Sequence, residues 1–411
     1  MNKNIKYILV LIVLGYFLFF FGNNLFSLTN PDEVFYTQTA KEMLKSNSWM
    51  TPILFDHPQF EKPIFIYWLL KIAFLTFGVS SFSARFFPAC FALFGIVAVY
   101  LFAKLLFKEE KKAFISALLL LSSCFYIGLA RTVFTDMVFS VMILFSLLSF
   151  YWGYKDERRK GLGIMLFFIF SALAILTKGP LGLIIPFLIV VVFLLAVGRS
   201  KFIFSKYTLW GIGALLAIAL PWYIFMASKY GQNFLHEFFY NDHYRRIIEA
   251  EHRSNDTWHF YPLTMLGGMF PWSIFSAVAF FLLLRRLKKA NSNNLFLLSW
   301  IAVTFLIFQI AHSKLSSYIF PFFPALALLT GDYIFNLCNA SQNKFACMPF
   351  ILTSCILFLL SIALPFGLVA YPQYAAVKTP LYFLIFLFVY LFLVMLRFIL
   401  RRELFKVTYL T

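Results

Sequence analysis

The chain has 411 residues, 62% hydrophobic and 13% charged, with a formal net charge of +18 at pH 7. A mean hydropathy of +0.83, with 57 Phe and repeated apolar runs of near-spanning length, excludes a soluble globular domain. The informative residues are then the few ionisable ones set against those runs, because charge there is costly unless it faces a bundle interior or a wet cavity.

The first apolar run, Ile5 to Phe26, follows Met-Asn-Lys-Asn and lacks a small-x-small cleavage site, so it reads as an uncleaved first span. A polar segment follows, from Asn30-Pro31-Asp32-Glu33 to Phe60-Glu61-Lys62-Pro63. Asn at an N-cap, Pro at the first helical position and acids in the first turn mark a helix start. The helix dipole alone can account for Asp32 and Glu33, at about 0.3–1 kcal/mol each. The helix that follows is amphipathic, with Val34, Ala40, Met43 and Leu44 opposed to Gln38, Lys41 and Lys45. Lys62 reads equally as a snorkelling side chain or as a fixed cation for a phosphate. The run Ile64–Gly78 is short for a span and contains Lys71, which predicts a helix lying in the interface.

At about 20 apolar residues per span, spans begin near Lys6, Ser83, Ala113, Phe134, Gly161, Pro180, Tyr207, Pro262, Asn294, Ser316, Ala346 and Pro380. This predicts an all-α polytopic membrane protein of about 12 helices with outer juxtamembrane helices, forming one integral domain over 1–411. Within it, 1–82 holds the first span and a large outer loop, 83–336 the core spans with an outer loop at 229–261, and 337–411 the C-terminal spans and a basic tail. With both termini in the cytoplasm, 22 of the 35 basic residues and 6 of the 17 acidic ones fall inside, giving +16 there against +2 outside. That obeys the positive-inside rule, so the net charge is an orientation device and needs no nucleic-acid partner. Five cysteines lie in or beside apolar runs and read as small packing residues, with no disulfide framework.

Every polar cluster that is not a plain basic run falls on the outer side. Thr177-Lys178-Gly179-Pro180 forms a tight reversal, and Lys178 is the only charge between Lys160 and Arg199, which favours an anion partner. Arg131 and Asp136 bracket another reversal, where a local ion pair and a site role are both open. The loop Lys229–Tyr261 carries Asp242, His243, Arg245 and Arg246; adjacent arginines suit bidentate phosphate recognition, and its histidines lack compact zinc spacing. Tyr318 stands at the mouth of a later span, where an aromatic belt residue is the plain alternative.

Taken in order, these segments resemble a family. D-E-x-x-Y from Asp32, F-E-K-P from Phe60, A-R-x-x-x-x-D from Ala130, L-T-K-G-P from Leu176, P-W-Y from Pro221, N-D-H-Y-R-R from Asn241 and S-K-L-x-x-Y-I-x-P from Ser313 resemble the bacterial branch of the protein O-mannosyltransferase superfamily. Its best-known members are lipid A aminoarabinose transferases with the GT-C membrane fold. The resemblance implies inverting transfer of a sugar from a polyprenyl-phosphate donor, such as undecaprenyl phosphate, to an envelope acceptor, such as lipid A or another glycan or protein. The reaction would take place on the periplasmic side of the bacterial inner membrane, among membrane lipids.

By residue, the resemblance implies that Asp32, Glu33, Lys62 and Asp136 stand at the reacting centre. Lys62, Lys178, Arg245, Arg246 and Tyr318 would hold the donor phosphate, and Tyr36, Glu61 and Lys314 would contact substrate. No cofactor is required for the chemistry, although Glu61 and His243 match positions where relatives hold a structural divalent metal. The chain departs from the aminoarabinose enzymes at Phe35, where they have Arg, and at Gln59, where they have an aromatic residue. It also ends shortly after Arg397–Lys406, where larger members continue into a soluble outer domain. The sugar and acceptor are therefore not carried over. The alternative is a transporter or flippase of a lipid-linked sugar, which calls for mid-span charges and half-repeats that this sequence does not display.

Overall fold

The structure is a computed structural model that describes residues 3–339 apart from 26 and 252, then 348–370 and scattered positions to 397. Helix α1 (Lys3–Gly15) continues as a π-helical turn to Phe20, and α2 (Pro31–Lys45) begins where Asn30 Oδ1 accepts the Asp32 N–H at 2.9 Å. A two-residue hairpin pairs β1 (Ile53–Leu54) antiparallel with β2 (His57–Pro58). Then come α3 (Phe65–Phe77), α4 (Ser81–Phe107), α5 (Glu110–Leu121) and α6 (Cys124–Ala130), the last two bent by 65°. They are followed by α7 (Thr135–Lys155), α8 (Lys160–Lys178), α9 (Leu181–Ala196) and α10 (Lys206–Leu235). The series ends with α11 (Arg245–Ile248), α12 (Phe260–Gly268), α13 (Ser273–Arg285), α14 (Ser292–Ile310), α15 (Phe323–Asn339) and α16 (Met348–Ala370). Among the described residues, seven helices are long and apolar enough to cross a membrane, eight if the bent pair is one span, with shorter apolar helices between them. The chain is a multi-pass membrane protein built as an all-α bundle, and the span expected near Pro380 lies outside the described residues.

Helix α7 is the centre of the bundle. It is apolar around its circumference and buried on all sides, as a helix surrounded by other helices must be. Against α8, Ser146 Oγ donates to the Phe167 carbonyl at 3.0 Å and lies 3.0 Å from Ser171 Oγ. A Cβ added at Gly163 would lie 2.7 Å from the Gly153 Cα, so two glycines allow this close backbone approach.

One end of the bundle is tied by polar side chains at helix termini. Asn4 Oδ1 accepts from Tyr100 Oη at 2.9 Å and Lys104 Nζ at 2.7 Å, while Asn293 Oδ1 accepts from Tyr151 Oη at 2.6 Å and Lys155 Nζ at 2.9 Å. Lys112 and Asp332 pair at 2.5 Å. The opposite end carries the candidate site.

That end is organised by two buried cations. Arg85 of α4 holds Glu33 at 3.0 and 3.1 Å and also donates to the Asn23 and Ser27 carbonyls, while Glu33 accepts the Val133 N–H at 3.0 Å. The start of α2, the end of α1 and the entry to α7 are thereby locked together. Lys71 is 1% exposed and donates to the Met43 and Ser48 carbonyls at 3.2 and 2.9 Å, with Nζ 4.1 Å from the Trp49 ring centre. It fastens the C-terminal end of α2 to α3, as a cation at a helix C-terminus should.

Three local expectations are corrected. Val34 is exposed; Ala40 and Met43 are buried as expected, and Glu33, Tyr36, Thr37 and Thr39 are buried with them, because the Glu33–Arg85 pair sets the helix rotation. Arg131 does not pair with Asp136: it donates to the Leu18 and Phe21 carbonyls at 2.9 Å each. The loop Lys229–Tyr261 is largely helical, since α10 runs past a kink at Gly231 (φ 55°) to Leu235 and continues as a π-helical turn, His236–Tyr244, into α11.

Removing one member of the buried pair strands the other charge, at about 3–5 kcal/mol. Arg85→Met is expected to lower the unfolding temperature in detergent sharply, and the double variant Glu33→Gln/Arg85→Met to recover much of the loss.

Candidate active site

The site is assembled from element ends, because each apolar span can carry charge only where it leaves the bundle. Asp32 comes from the first turn of α2, Lys62 from the turn between β2 and α3, Asp136 from the first turn of α7, and Lys178 from the last residue of α8. Asp242 and His243 come from the π-helical turn, Arg246 from α11, and Tyr318 from the 3₁₀ turn Ser316–Phe322 that leads into α15.

Asp242 is the pivot. Its Oδ1 and Oδ2 accept from Lys62 Nζ at 3.0 and 2.9 Å, and its Oδ1 also meets an Arg246 Nη at 2.9 Å. Arg246 donates its other Nη to Tyr318 Oη at 2.7 Å, with Glu251 at 3.6 Å. The Lys178 ammonium pairs with Asp136 and lies 4.5 Å from the Tyr318 ring centre. Lys62, Arg246 and Lys178, with Asp242, Asp136 and Tyr318, thus form a charge-assisted network drawn from six segments.

Asp32 opens toward solvent at the edge of this network, within electrostatic reach of Lys62, Asp136, Arg246 and Glu251. Protein crowding on its inner side raises the carboxyl above its usual range; Lys62 pulls it back down, and the Asp136 charge adds to the rise. Glu61 is likewise raised, chiefly by partial burial, against a lowering pull from Lys62.

Gly179 makes the tight approach between α8 and the π-helical turn. Its φ is +98°, and a Cβ there would lie 2.4 Å from His243 Nε2. The His243 ring is held by two backbone carbonyls, with Nδ1 2.7 Å from the Phe238 oxygen and Nε2 3.3 Å from the Lys178 oxygen. Both ring nitrogens of His243, one of the two expected metal positions, therefore face backbone carbonyls. Among the described residues no group of three or more His, Cys, Asp or Glu side chains is arranged around a metal position.

Of the residues expected at the site, Asp32, Lys62, Asp136, Lys178, Arg246 and Tyr318 converge. Glu33 points away into its pair with Arg85. Arg245 is exposed on the outer face and pairs with Glu249 at 2.6 Å. Lys314 is buried and pairs with Asp256 at 2.5 Å, an acid that His312 Nδ1 also approaches at 2.8 Å. Tyr36 is buried in the wall, its ring 6.1 Å from Tyr67. Phe35 packs edge-on against Tyr36, and Gln59 is buried, its Oε1 3.5 Å from Tyr67 Oη. From sequence, Asp242 is named in its loop without a site role, and Glu251 is not named. The spacing of Asp242 and Arg246, four apart, was the available signal, but it becomes an ion pair only once the loop is helical.

A family model described as dolichyl-phosphate-mannose-protein mannosyltransferase matches residues 4–236. A protein of Aquifex aeolicus described as uncharacterized is 31% identical over 363 residues, 88% of this chain and 70% of its own. The undecaprenyl phosphate-alpha-4-amino-4-deoxy-L-arabinose arabinosyl transferase 2 of Proteus mirabilis is 30% identical over 333 residues, 77% of this chain and 58% of its own length, so the chain spans less than two thirds of that relative. The crystal structure of ArnT from Cupriavidus metallidurans bound to undecaprenyl phosphate matches with a TM-score of 0.83 at 23% identity, over 98% of this chain and 74% of that one. The archaeal oligosaccharyltransferase AglB from Archaeoglobus fulgidus matches at 0.57 and 14% identity, over 93% and 55%. The likenesses to solved structures concern the fold, which is the GT-C membrane fold.

Two glycines with positive φ allow an internally controlled test of the Gly179 approach. Gly198 (φ +67°) faces open space, so Gly198→Ala should cost about 1 kcal/mol from backbone strain alone. Gly179→Ala adds a clash with His243 and should lower the unfolding temperature clearly more, read by scanning fluorimetry of the two variants side by side.

Proposed function

The chain belongs to the dolichyl-phosphate-mannose-protein mannosyltransferase family, and from that premise we propose that it transfers a sugar from a polyprenyl-phosphate donor to an envelope acceptor. Undecaprenyl phosphate is the proposed lipid carrier, lipid A a candidate acceptor, and the periplasmic side of the inner membrane the proposed place. The observation that carries the reading is the convergence of Lys62, Lys178 and Arg246 beside an open carboxylate, Asp32. The acid partners of these three cations are Asp136, Asp242 and, at 3.6 Å from Arg246, Glu251. Fixed cations and the Tyr318 hydroxyl gathered at one place suit the phosphate that a lipid-linked donor leaves behind.

In the proposed step the bond between the sugar anomeric carbon and the phosphate oxygen breaks, and the lipid phosphate departs with the bonding electron pair. The acceptor oxygen attacks from the opposite face and forms the new bond, which inverts the anomeric centre. Lys62, Arg246, Lys178 and the Tyr318 hydroxyl are placed to stabilise negative charge as it grows on the leaving phosphate, where fixed donors act most strongly. Asp32 receives the acceptor proton when the acceptor is a hydroxyl, and orients the acceptor when it is already a phosphate anion. Glu33, held by Arg85, and Asp136, held by Lys178, act as positioning residues for Asp32 and Lys178. Tyr36, Glu61 and Lys314 are proposed to shape the surrounding wall.

Membranes carrying Asp32→Asn, Lys62→Ala or Lys178→Ala are expected to lose at least a hundredfold of transfer to an envelope acceptor, read by mass spectrometry of lipid A and other glycans, while the protein still accumulates. Full transfer by all three variants would sink the site assignment. Flux of a lipid-linked sugar in vesicles without transfer would favour a transporter instead.

A pH profile gives an independent check. A base that must be ionised loses activity as pH falls through its pKa, and the Asp32 carboxyl is raised above the usual range. With a hydroxyl acceptor, the acid limb of kcat/KM should therefore lie above an ordinary aspartate's, and Lys62→Gln should move it higher still by removing the cation that holds it down.

A further inference from the structure

At the end of the bundle remote from the site, α9 finishes and α10 begins around a cavity of about 700 Å³. Its wall is apolar, from Val191, Leu194, Phe204 and Leu209, and its rim is polar, from Ser205 and Lys206. Phe204 is 84% exposed and Trp210, one residue beyond Leu209, is 69% exposed, so the cavity is continuous with the lipid-facing surface of these spans. Apolar surface of this kind, opening at the ends of spans, is in contact with acyl chains in a bilayer.

The charge around the opening identifies which lipid. Arg199 and Lys201 lie in the short connection beside Ser200, which also lines the cavity, and both are exposed. From Arg158 to His236 the sequence contains no Asp or Glu. Among the described residues neither Arg199, Lys201 nor Lys206 forms an ion pair. At the same end of the bundle Lys112 has Asp332 and Arg159 has Asp156, whereas Arg285, Arg286, Lys288 and Lys289 after α13 resemble the cavity's cations in showing no ion pair among the described residues. Three uncompensated cations at the mouth of an apolar cavity match one ligand chemistry, an anionic headgroup attached to a hydrocarbon chain.

We infer that this cavity is a binding site for an anionic phospholipid of the surrounding leaflet, with one acyl chain between α9 and α10 and the headgroup phosphate against Lys206, Arg199 and Lys201. The site is separate from the proposed reaction and does not rest on it. A membrane-surface cation contributes about fivefold to the affinity for an anionic lipid, so loss of three should remove the headgroup preference.

The test uses the purified full chain in detergent, with dioleoylphosphatidylglycerol and dioleoylphosphatidylcholine titrated separately and bound lipid counted by native mass spectrometry. The wild type is expected to prefer phosphatidylglycerol, and Arg199→Gln/Lys201→Gln/Lys206→Gln to reduce that preference more than tenfold. Ile212→Trp, which fills the cavity from α10, should reduce retention of the phosphatidylglycerol with an unchanged unfolding temperature. The triple variant alters only exposed side chains, so it keeps the test valid should the tryptophan variant fail to fold. An undiminished preference in the triple variant, or no preference in the wild type, overturns the proposal. So does a wild-type dimer that Ile212→Trp splits, because a second copy would then be what covers the cavity.

Discussion

Asp242 accepts two cations, Lys62 before α3 and Arg246 on α11, and the site end of the bundle depends on that shared acceptor. A carboxylate carries enough lone pairs for both. Each cation alone, facing the other two at close range, would destabilise the cluster. Held by one acid, Lys62 and Arg246 are kept close together at the site. The Lys178–Asp136 pair repeats the device one layer inward, at the junction of α8 with α7.

The rest of the scaffold keeps these groups in place by the same physics. Charge within an apolar bundle is tolerated at helix ends and when partnered, so several span ends are fastened by side chains that reach backbone or acid. Arg85 and Lys71 perform this for the first outer loop, Arg85 through Glu33 and two carbonyls, Lys71 through two carbonyls and an indole face. The opposite end of the bundle uses Asn4 and Asn293 as neutral acceptors for lysines. Between the two ends the packing is almost wholly apolar, with close approach where glycine or serine allows it.

Much of the candidate site was legible along the chain. Lys178 was conspicuous as an isolated charge, and Asp32 as the head of a capped helix. Arg246 stood out through its adjacent pair, but the pair divides: Arg246 turns inward to Asp242 and Tyr318, whereas Arg245 turns outward to Glu249. Adjacent residues on a helix point about 100° apart, so only one of two neighbours can face the site. Asp32 and Glu33 divide for the same reason, one opening to solvent and the other buried on Arg85. Which member of each pair faces inward is a rotation of the helix, and that is set by packing that sequence spacing does not contain.

Composition and hydropathy by themselves determined that this is an all-α membrane protein, where its spans begin and that its chemistry-bearing groups lie at span ends. Those properties follow from the cost of placing charge in hydrocarbon, which is local and can be summed along a sequence. Only the tertiary structure decided the partners: that Lys62 meets an acid 180 residues away, that Asp136 belongs to Lys178 and not to Arg131, and that the loop after α10 is a helix carrying Asp242 to the centre. Ion pairing is a matter of ångström-scale distances between helix ends, and those distances exist only once the helices have packed.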